Sequence, residues 1–286
     1  LIEGVHFDLS YFPLKHLGYK AVVSSISDIC AMFGITKQIT VSIAVSNRFK
    51  LESIQELYSG IKLACQRYSI DLIGGDTTSS QKGLIISVTA IGCPTQLGYV
   101  TRSGSKTNDL LVVTGSLGAA YLGLQILERE KQVFLVNPEN KPDLSNYKYL
   151  VERQLKPEAK SDVIDFLLMN KIKPTSMIDI SDGLSSELIH LCKKSGRGCI
   201  VYEDKLPISE EVISTCKEFK LDPTVISLSG GEDYELLFTL DSKHLETIEK
   251  HREFSVIGYM TKDKEPNLLT KDGKTTKISS LGWKSF

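Results

Sequence analysis

Helix-period and strand-period apolar patterns alternate along this chain, and that alternation confines it to layered α/β or α+β architectures. Residues 14–32 set Leu14, Leu17, Ala21, Ile29 and Met32 at helical spacing. The run ITVSIAVS at 39–46 alternates apolar and polar positions, as a half-buried strand does. Residues 53–68 gather Ile54, Leu57, Ile61 and Cys65 on one helical face. Residues 84–92 read as another strand. The polar, turn-rich stretch 93–108 is the expected crossing between an N-terminal domain, 1–98, and a C-terminal domain, 99–286.

The second half opens with a strand at 110–114, closed by Gly115-Ser116-Leu117-Gly118, and a helix from 119 to about 130. Residues 137–147, with Pro138 and Pro142, are loop-like. Helices are expected near 147–153, 161–169, 184–194, 210–219 and 243–251, and strands near 199–202, 234–239 and 255–259. With 41% hydrophobic residues among 286, the chain can build cores for two domains of ordinary size.

A net charge of −1 gives no overall drive toward nucleic acid or an anionic membrane, so any basic site is local. No apolar run is long enough to cross a bilayer. The six cysteines show neither a CxxC nor zinc-type spacing, which points to buried free thiols in a reducing cytoplasm. The chain lacks an initiator methionine and opens on what reads as the end of a strand, so upstream sequence is expected to be missing.

Five short clusters of acid, glycine and hydroxyl residues punctuate these elements: Ser25-Ile26-Ser27-Asp28, Gly74-Gly75-Asp76-Thr77-Thr78, Thr101-Arg102-Ser103-Gly104, Ile178-Asp179-Ile180-Ser181-Asp182-Gly183 and Gly230-Gly231-Glu232-Asp233-Tyr234. Neither GxxxxGK[ST] nor GxGxxG is present. A triphosphate needs its charge neutralised before its terminal phosphorus is attacked. Mg²⁺ does this with oxygen ligands, usually one or two carboxylates plus phosphates and water. The clusters therefore point to phosphoryl transfer. Each also has an ordinary reading. Gly74-Gly75-Asp76 can be a tight turn, Asp182 a helix N-cap, Asp28 a solvent-facing acid and Arg102 a solvated loop residue.

These clusters, with Glu3-Gly4-Val5-His6-Phe7, Val113-Thr114-Gly115 and the ending Gly282-Trp283-Lys284-Ser285-Phe286, resemble thiamine-monophosphate kinase. That family belongs with aminoimidazole ribonucleotide synthetase, selenophosphate synthetase and a hydrogenase maturation factor. The resemblance spans the chain and implies a two-domain synthetase-like kinase fold. Its N-terminal ATP/Mg²⁺-binding domain would form a barrel across a homodimer, followed by a C-terminal α/β domain. It implies that ATP phosphorylates thiamine phosphate directly, giving thiamine diphosphate, with several Mg²⁺ ions and with neither nucleic acid nor membrane as partner.

By the same resemblance Asp28, Asp76, Asp179 and Asp182 are expected Mg²⁺ ligands, and Asp28, Asp182 and Arg102 the catalytic set. Tyr68, Gly75, Asp76, Arg102 and Ser181 are expected at the nucleotide, and His6, Glu232 and Trp283 at thiamine phosphate. The family's Gly-Asp-Asp motif and Thr-Asp pair would both precede Leu1. Ser25 stands where the family usually has asparagine, and Phe33-Gly34 replaces a small-residue pair. The alternatives are another ATP-using enzyme of the superfamily and a non-catalytic nucleotide-binding dimer.

Overall fold

The computed structural model describes residues 1–139 and 141–279. Its strands fall into two sheets. The first has the order β2-β1-β3, built from β1 (Gly34–Val45), β2 (Asp71–Ser79) and β3 (Leu84–Pro94). β2 runs parallel to β1, because helix α2 (Leu51–Tyr68) carries the chain back over the sheet, and β3 returns antiparallel. Ile39, Val41 and Ile43 of β1 face the core, while Ile73, Ile85 and Ile91 are exposed.

Helix α1 (Leu14–Ala31) crosses α2 closely. A Cβ on Gly60 would sit 1.8 Å from the Lys15 carbonyl oxygen, so only glycine allows this approach. The far side of α1 packs on the second sheet, and this makes it the partition between the two halves.

Among the described residues, the second sheet has seven strands in the order β10-β9-β6-β8-β4-β7-β5. They are β4 (Leu110–Thr114), β5 (Ser176–Ile180), β6 (Gly198–Tyr202), β7 (Glu235–Leu240), β8 (Phe254–Thr261), β9 (Pro266–Leu269) and β10 (Thr275–Lys277). All neighbours are antiparallel except β6 and β9. The helices are α3 (Ala119–Val136), α4 (Lys148–Leu155), α5 (Ser161–Met169), α6 (Leu184–Ser195), α7 (Glu210–Phe219), α8 (Pro223–Ser229) and α9 (Leu245–Glu249).

Helix α6 packs on one face of this sheet through Leu184, Leu188 and Leu191. Val163, Ile164 and Leu167 of α5 pack on the other, in a cluster shared with Cys30, Ala31 and Phe33 from the N-terminal half. A third cluster joins α1, α2 and the first sheet to α3, α4 and α7. The halves therefore share apolar packing along α1.

Several sequence expectations shift. Gly74-Gly75-Asp76 lies inside strand β2 rather than at a turn, because parallel pairing with Val41 and Ser42 extends it. Helix α3 runs on to Val136, past the expected end near 130. The short elements β5, α8, β9 and β10 were not anticipated; each is too brief to show a period of its own. Five of the six cysteines are buried free thiols, and Cys93 is exposed.

Candidate active site

Strand β5 is the sheet's edge, and α1 covers it. Ser27 of α1 donates to Asp179 Oδ2 at 2.8 Å. Asp179 is only 4% exposed. Burial pushes its carboxyl up to about 6; Asp28 adds to the rise, while Ser27 and Arg102 oppose it. Asp28 is solvent-exposed, one residue along α1. Partial burial raises its carboxyl above the usual range, and Arg102 draws it back.

The segment bearing Arg102 is held from both sides. Val100 N–H donates to the Met32 carbonyl at 2.9 Å, and Met177 N–H to the Thr101 carbonyl at 3.0 Å. Arg102 thus lines one cleft of about 400 Å³ with Asp28, Asp179, Met32, Met177 and Lys194. Lys194 was not singled out from sequence; its only signal was its place in the last turn of an expected helix.

After β5 the chain turns through Ser181-Asp182-Gly183 into α6. Asp182 is exposed and its side chain caps nothing, so the N-cap reading of it fails. Its backbone N–H instead donates to Glu187 Oε1 at 3.2 Å, so a side chain of the first turn of α6 reaches back to the residue before the N-cap. Burial pushes the Glu187 carboxyl up to about 7.

The segment 230–234 lies directly against this turn. A Cβ on Gly231 would stand 2.6 Å from the Ser181 carbonyl oxygen. Glu232 N–H donates to that carbonyl at 2.7 Å, and Tyr234 N–H to the Ile180 carbonyl at 2.9 Å. Glu232 and Tyr234 hold φ of 64° and 52°, conformations that non-glycine residues seldom adopt and that concentrate at functional sites. Asp233 turns away from the cleft. It accepts from Gly118 N–H at 2.7 Å and Ala120 N–H at 3.2 Å, capping α3.

Glu232 is anchored through one oxygen. Lys20 Nζ lies 3.1 Å and Gln154 Nε2 2.9 Å from its Oε2. Lys20 also donates to the Gln154 carbonyl at 2.8 Å and is 1% exposed. Burial lowers its ammonium below the usual lysine range, and Glu232 opposes the shift.

The remaining sequence candidates separate. Asp76 and Gly75 line an open groove of about 510 Å³ on β2, together with Tyr58, and share no cleft with Asp28. Tyr68 stands elsewhere. It lies outside that groove, with its hydroxyl donating to Glu158 Oε2 at 2.5 Å and accepting from Ala159 N–H at 2.9 Å. Tyr58 sits one helical face away and reaches the groove instead, a distinction that nearness in sequence to Gly74 could not make. His6 is exposed in a turn, its Nδ1 accepting from Ile2 N–H at 3.0 Å, and does not line the Asp28 cleft. Trp283 lies outside the described residues.

Among the described residues, no group of three or more His, Cys, Asp or Glu side chains is gathered closely enough to cage a metal. Asp28 and Asp179 in the cleft, and Asp182 three residues further along the chain, are hard oxygen donors only. One buried and one exposed carboxyl, both with raised pKa, fit a cation that phosphate oxygens and water would complete. The donor set therefore suits Mg²⁺ bound along with a nucleotide and does not suit a structural metal.

Comparison with known proteins gives these residues a context. The family models for the AIR synthase related protein, N-terminal and C-terminal domains, match residues 1–93 and 106–271. The thiamine-monophosphate kinase of Bacillus subtilis (strain 168) is 33% identical over 283 residues, 97% of this chain and 83% of the relative. That of Aquifex aeolicus (strain VF5) is 33% identical over 287 residues, 100% of this chain and 86% of the relative. The solved structure of AaThiL complexed with AMPPCP and TMP superposes with a TM-score of 0.85 at 30% identity, covering 100% of this chain and 85% of that one. The chain belongs to the thiamine-monophosphate kinase family.

Proposed function

We propose that this protein transfers the terminal phosphoryl group of ATP to thiamine phosphate, yielding ADP and thiamine diphosphate. The observation that carries the reading is the meeting of Asp28, Asp179 and Arg102 in one cleft, with the Glu232 segment bonded to the turn that bears Ser181 and Asp182. An oxygen of the acceptor phosphate attacks the γ-phosphorus as the bond to the bridging β–γ oxygen breaks. That acceptor is already ionised, so little proton transfer is required and the work is positioning and charge neutralisation.

Asp28, Asp179 and Asp182 would hold Mg²⁺, which supplies screening between the two phosphate groups and Lewis-acid polarisation of the γ-phosphoryl oxygens. Arg102, in the lining of the same cleft, forks onto a phosphate. Ser181 and the Gly75–Asp76 strand contact the nucleotide. Glu232, with His6 and Trp283, receives thiamine phosphate, a carboxylate being suited to a cationic thiazolium.

Gly75 and Asp76 stand apart from Asp28 within one chain, and the outer face of the first sheet exposes Ile73, Ile85 and Ile91. Pairing of that sheet with a second copy in a homodimer covers these side chains and supplies the nucleotide groove at a shared site. A division of labour near residue 98, with nucleotide binding and dimerisation before it, follows. The preponderance of buried free thiols favours a reducing compartment such as the cytoplasm.

Incubation with ATP, Mg²⁺ and thiamine phosphate tests the reading, with thiamine diphosphate as the expected product. ATP consumption without it would favour another activity of the superfamily, and binding without turnover a nucleotide-binding dimer. Asp28→Asn and Asp182→Asn should each lower kcat by two orders of magnitude or more, on the order of 3 kcal/mol of transition-state stabilisation. Both residues are exposed, so the variants should keep their fold, and wild-type rates from either would refute the metal assignment.

A further inference from the structure

We infer that Lys20, assisted by Gln154, is a positioning residue that orients Glu232 toward the cationic ring of the substrate. This rests on the proposed contact between Glu232 and thiamine phosphate. Lys20 stands eight residues before Asp28, about 12 Å along the helix axis. One helix therefore holds the proposed metal end of the site through Ser27 and Asp28 and the proposed substrate end through Lys20.

The Glu232 carboxylate is bound unequally. Lys20 Nζ and Gln154 Nε2 both donate to Oε2, and no described residue donates to Oε1. The side chain keeps 28% of its surface, so the open oxygen faces the solvent side while the bonded one faces the core. Among the described residues, Glu232 is the only acid that Lys20 pairs with. Its other partners are the Gln154 carbonyl and the face of Phe12, 5.4 Å from the ring centroid, and it is 1% exposed.

An ion pair with one partner fully buried stabilises a fold weakly, because desolvation offsets much of the attraction. It does fix geometry, since a buried ammonium leaves its partner few alternative rotamers. Glu232 needs such a hold, because its backbone at φ 64° sits on a loop rather than on a strand or helix. The Gln154 amide is oriented by the same carboxylate. Its NH₂ faces Glu232, and its Oε1 finds no partner among the described residues.

The test compares Lys20→Met, Glu232→Gln and the double variant by steady-state kinetics, with thiamine phosphate binding measured calorimetrically without ATP. Glu232→Gln should raise KM for thiamine phosphate and leave KM for ATP in place. Lys20→Met should raise the same constant about tenfold to a hundredfold, the range of a lost charge-assisted hydrogen bond. In the Glu232→Gln background it should add nothing, because it acts through the carboxylate. Lys20→Arg should recover part of the loss.

A general structural role would shift both KM values and give additive effects, which overturns the inference. So does an unmoved KM in Lys20→Met beside a raised one in Glu232→Gln. If Glu232→Gln itself leaves thiamine phosphate binding unchanged, the assignment of Glu232 to the substrate falls and the positioning role falls with it. Should Lys20→Met fail to fold, Gln154→Met removes the other donor to Oε2 and faces the same outcomes.

Discussion

The Ser27 hydroxyl donates to Asp179 Oδ2 at 2.8 Å across 152 residues of sequence, tying the helix of the N-terminal half to the edge strand of the second sheet. Asp179 is thereby fixed beside Asp28, on the next residue of the same helix. The two carboxylates come from elements with no local relationship, and this single bond sets their registry.

Removing the hydroxyl in Ser27→Ala should therefore act on Asp179 first. The bond holds its carboxyl down against burial, so its pKa rises above the present value of about 6. Net stability at neutral pH should fall by about 1–3 kcal/mol, the usual effect of losing a hydrogen bond to a charged group. The Mg²⁺ concentration for half-maximal activity should rise several-fold with KM for thiamine phosphate little changed. An unaltered Mg²⁺ titration would remove Asp179 from the metal site.

Tyr58 and Tyr68 make opposite predictions. Tyr58 lines the groove at Gly74–Asp76, so Tyr58→Ala should raise KM for ATP with little loss of stability. Tyr68 is bonded to Glu158 and to Ala159 N–H, so Tyr68→Phe should lower stability by roughly 1–3 kcal/mol and leave KM for ATP unchanged. Thermal denaturation and initial rates on the two variants decide the matter; the reverse pattern would place Tyr68, and not Tyr58, at the nucleotide.

The Tyr58 and Tyr68 reversal also shows what the sequence could convey. Helical spacing located α1, α2 and α5 to within two residues, because their apolar faces repeat through two turns or more. It could not say which tyrosine of α2 faces β2, since that depends on the helix's rotation against a sheet still to be formed. Asp28, Asp179 and Arg102 were legible as chemistry. Their proximity was not, because it rests on Ser27 and on the pinning of Val100 and Thr101 by Met32 and Met177. Lys20 gave no signal at all. A lysine inside an amphipathic helix ordinarily reads as solvated, and only its full burial and its bond to Glu232 single it out.

Close contact between the two turns of the site yields a further expectation. The Gly231→Val side chain would be built into the Ser181 carbonyl, 2.6 Å from the Cβ position. The 230–234 segment must then withdraw from Ser181 and Asp182, breaking the Glu232 N–H bond. Activity should drop sharply through both KM and kcat, because the proposed substrate and metal groups separate together. Retention of wild-type KM for thiamine phosphate would mean that Glu232 does not depend on this contact.

The pH dependence of stability should carry the mark of Asp233. Burial first, with some help from Glu235, pushes its carboxyl up to about 6 from an ordinary 3.8, although Arg153 and two backbone N–H groups oppose the shift. Between roughly pH 4 and 6 the folded protein keeps a proton that the unfolded chain has released, so stability falls as pH rises through that window. Asp233→Asn cannot titrate, and the other raised carboxyls, Asp28, Asp179 and Glu187, are common to both proteins. The difference in unfolding free energy between wild type and variant should therefore move against the wild type by up to roughly 3 kcal/mol across the window and level off above it. Urea unfolding of both proteins in that pH range measures it. A difference that stays constant with pH would mean that Asp233 is ionised throughout, its charge fully compensated by Arg153 and the start of α3.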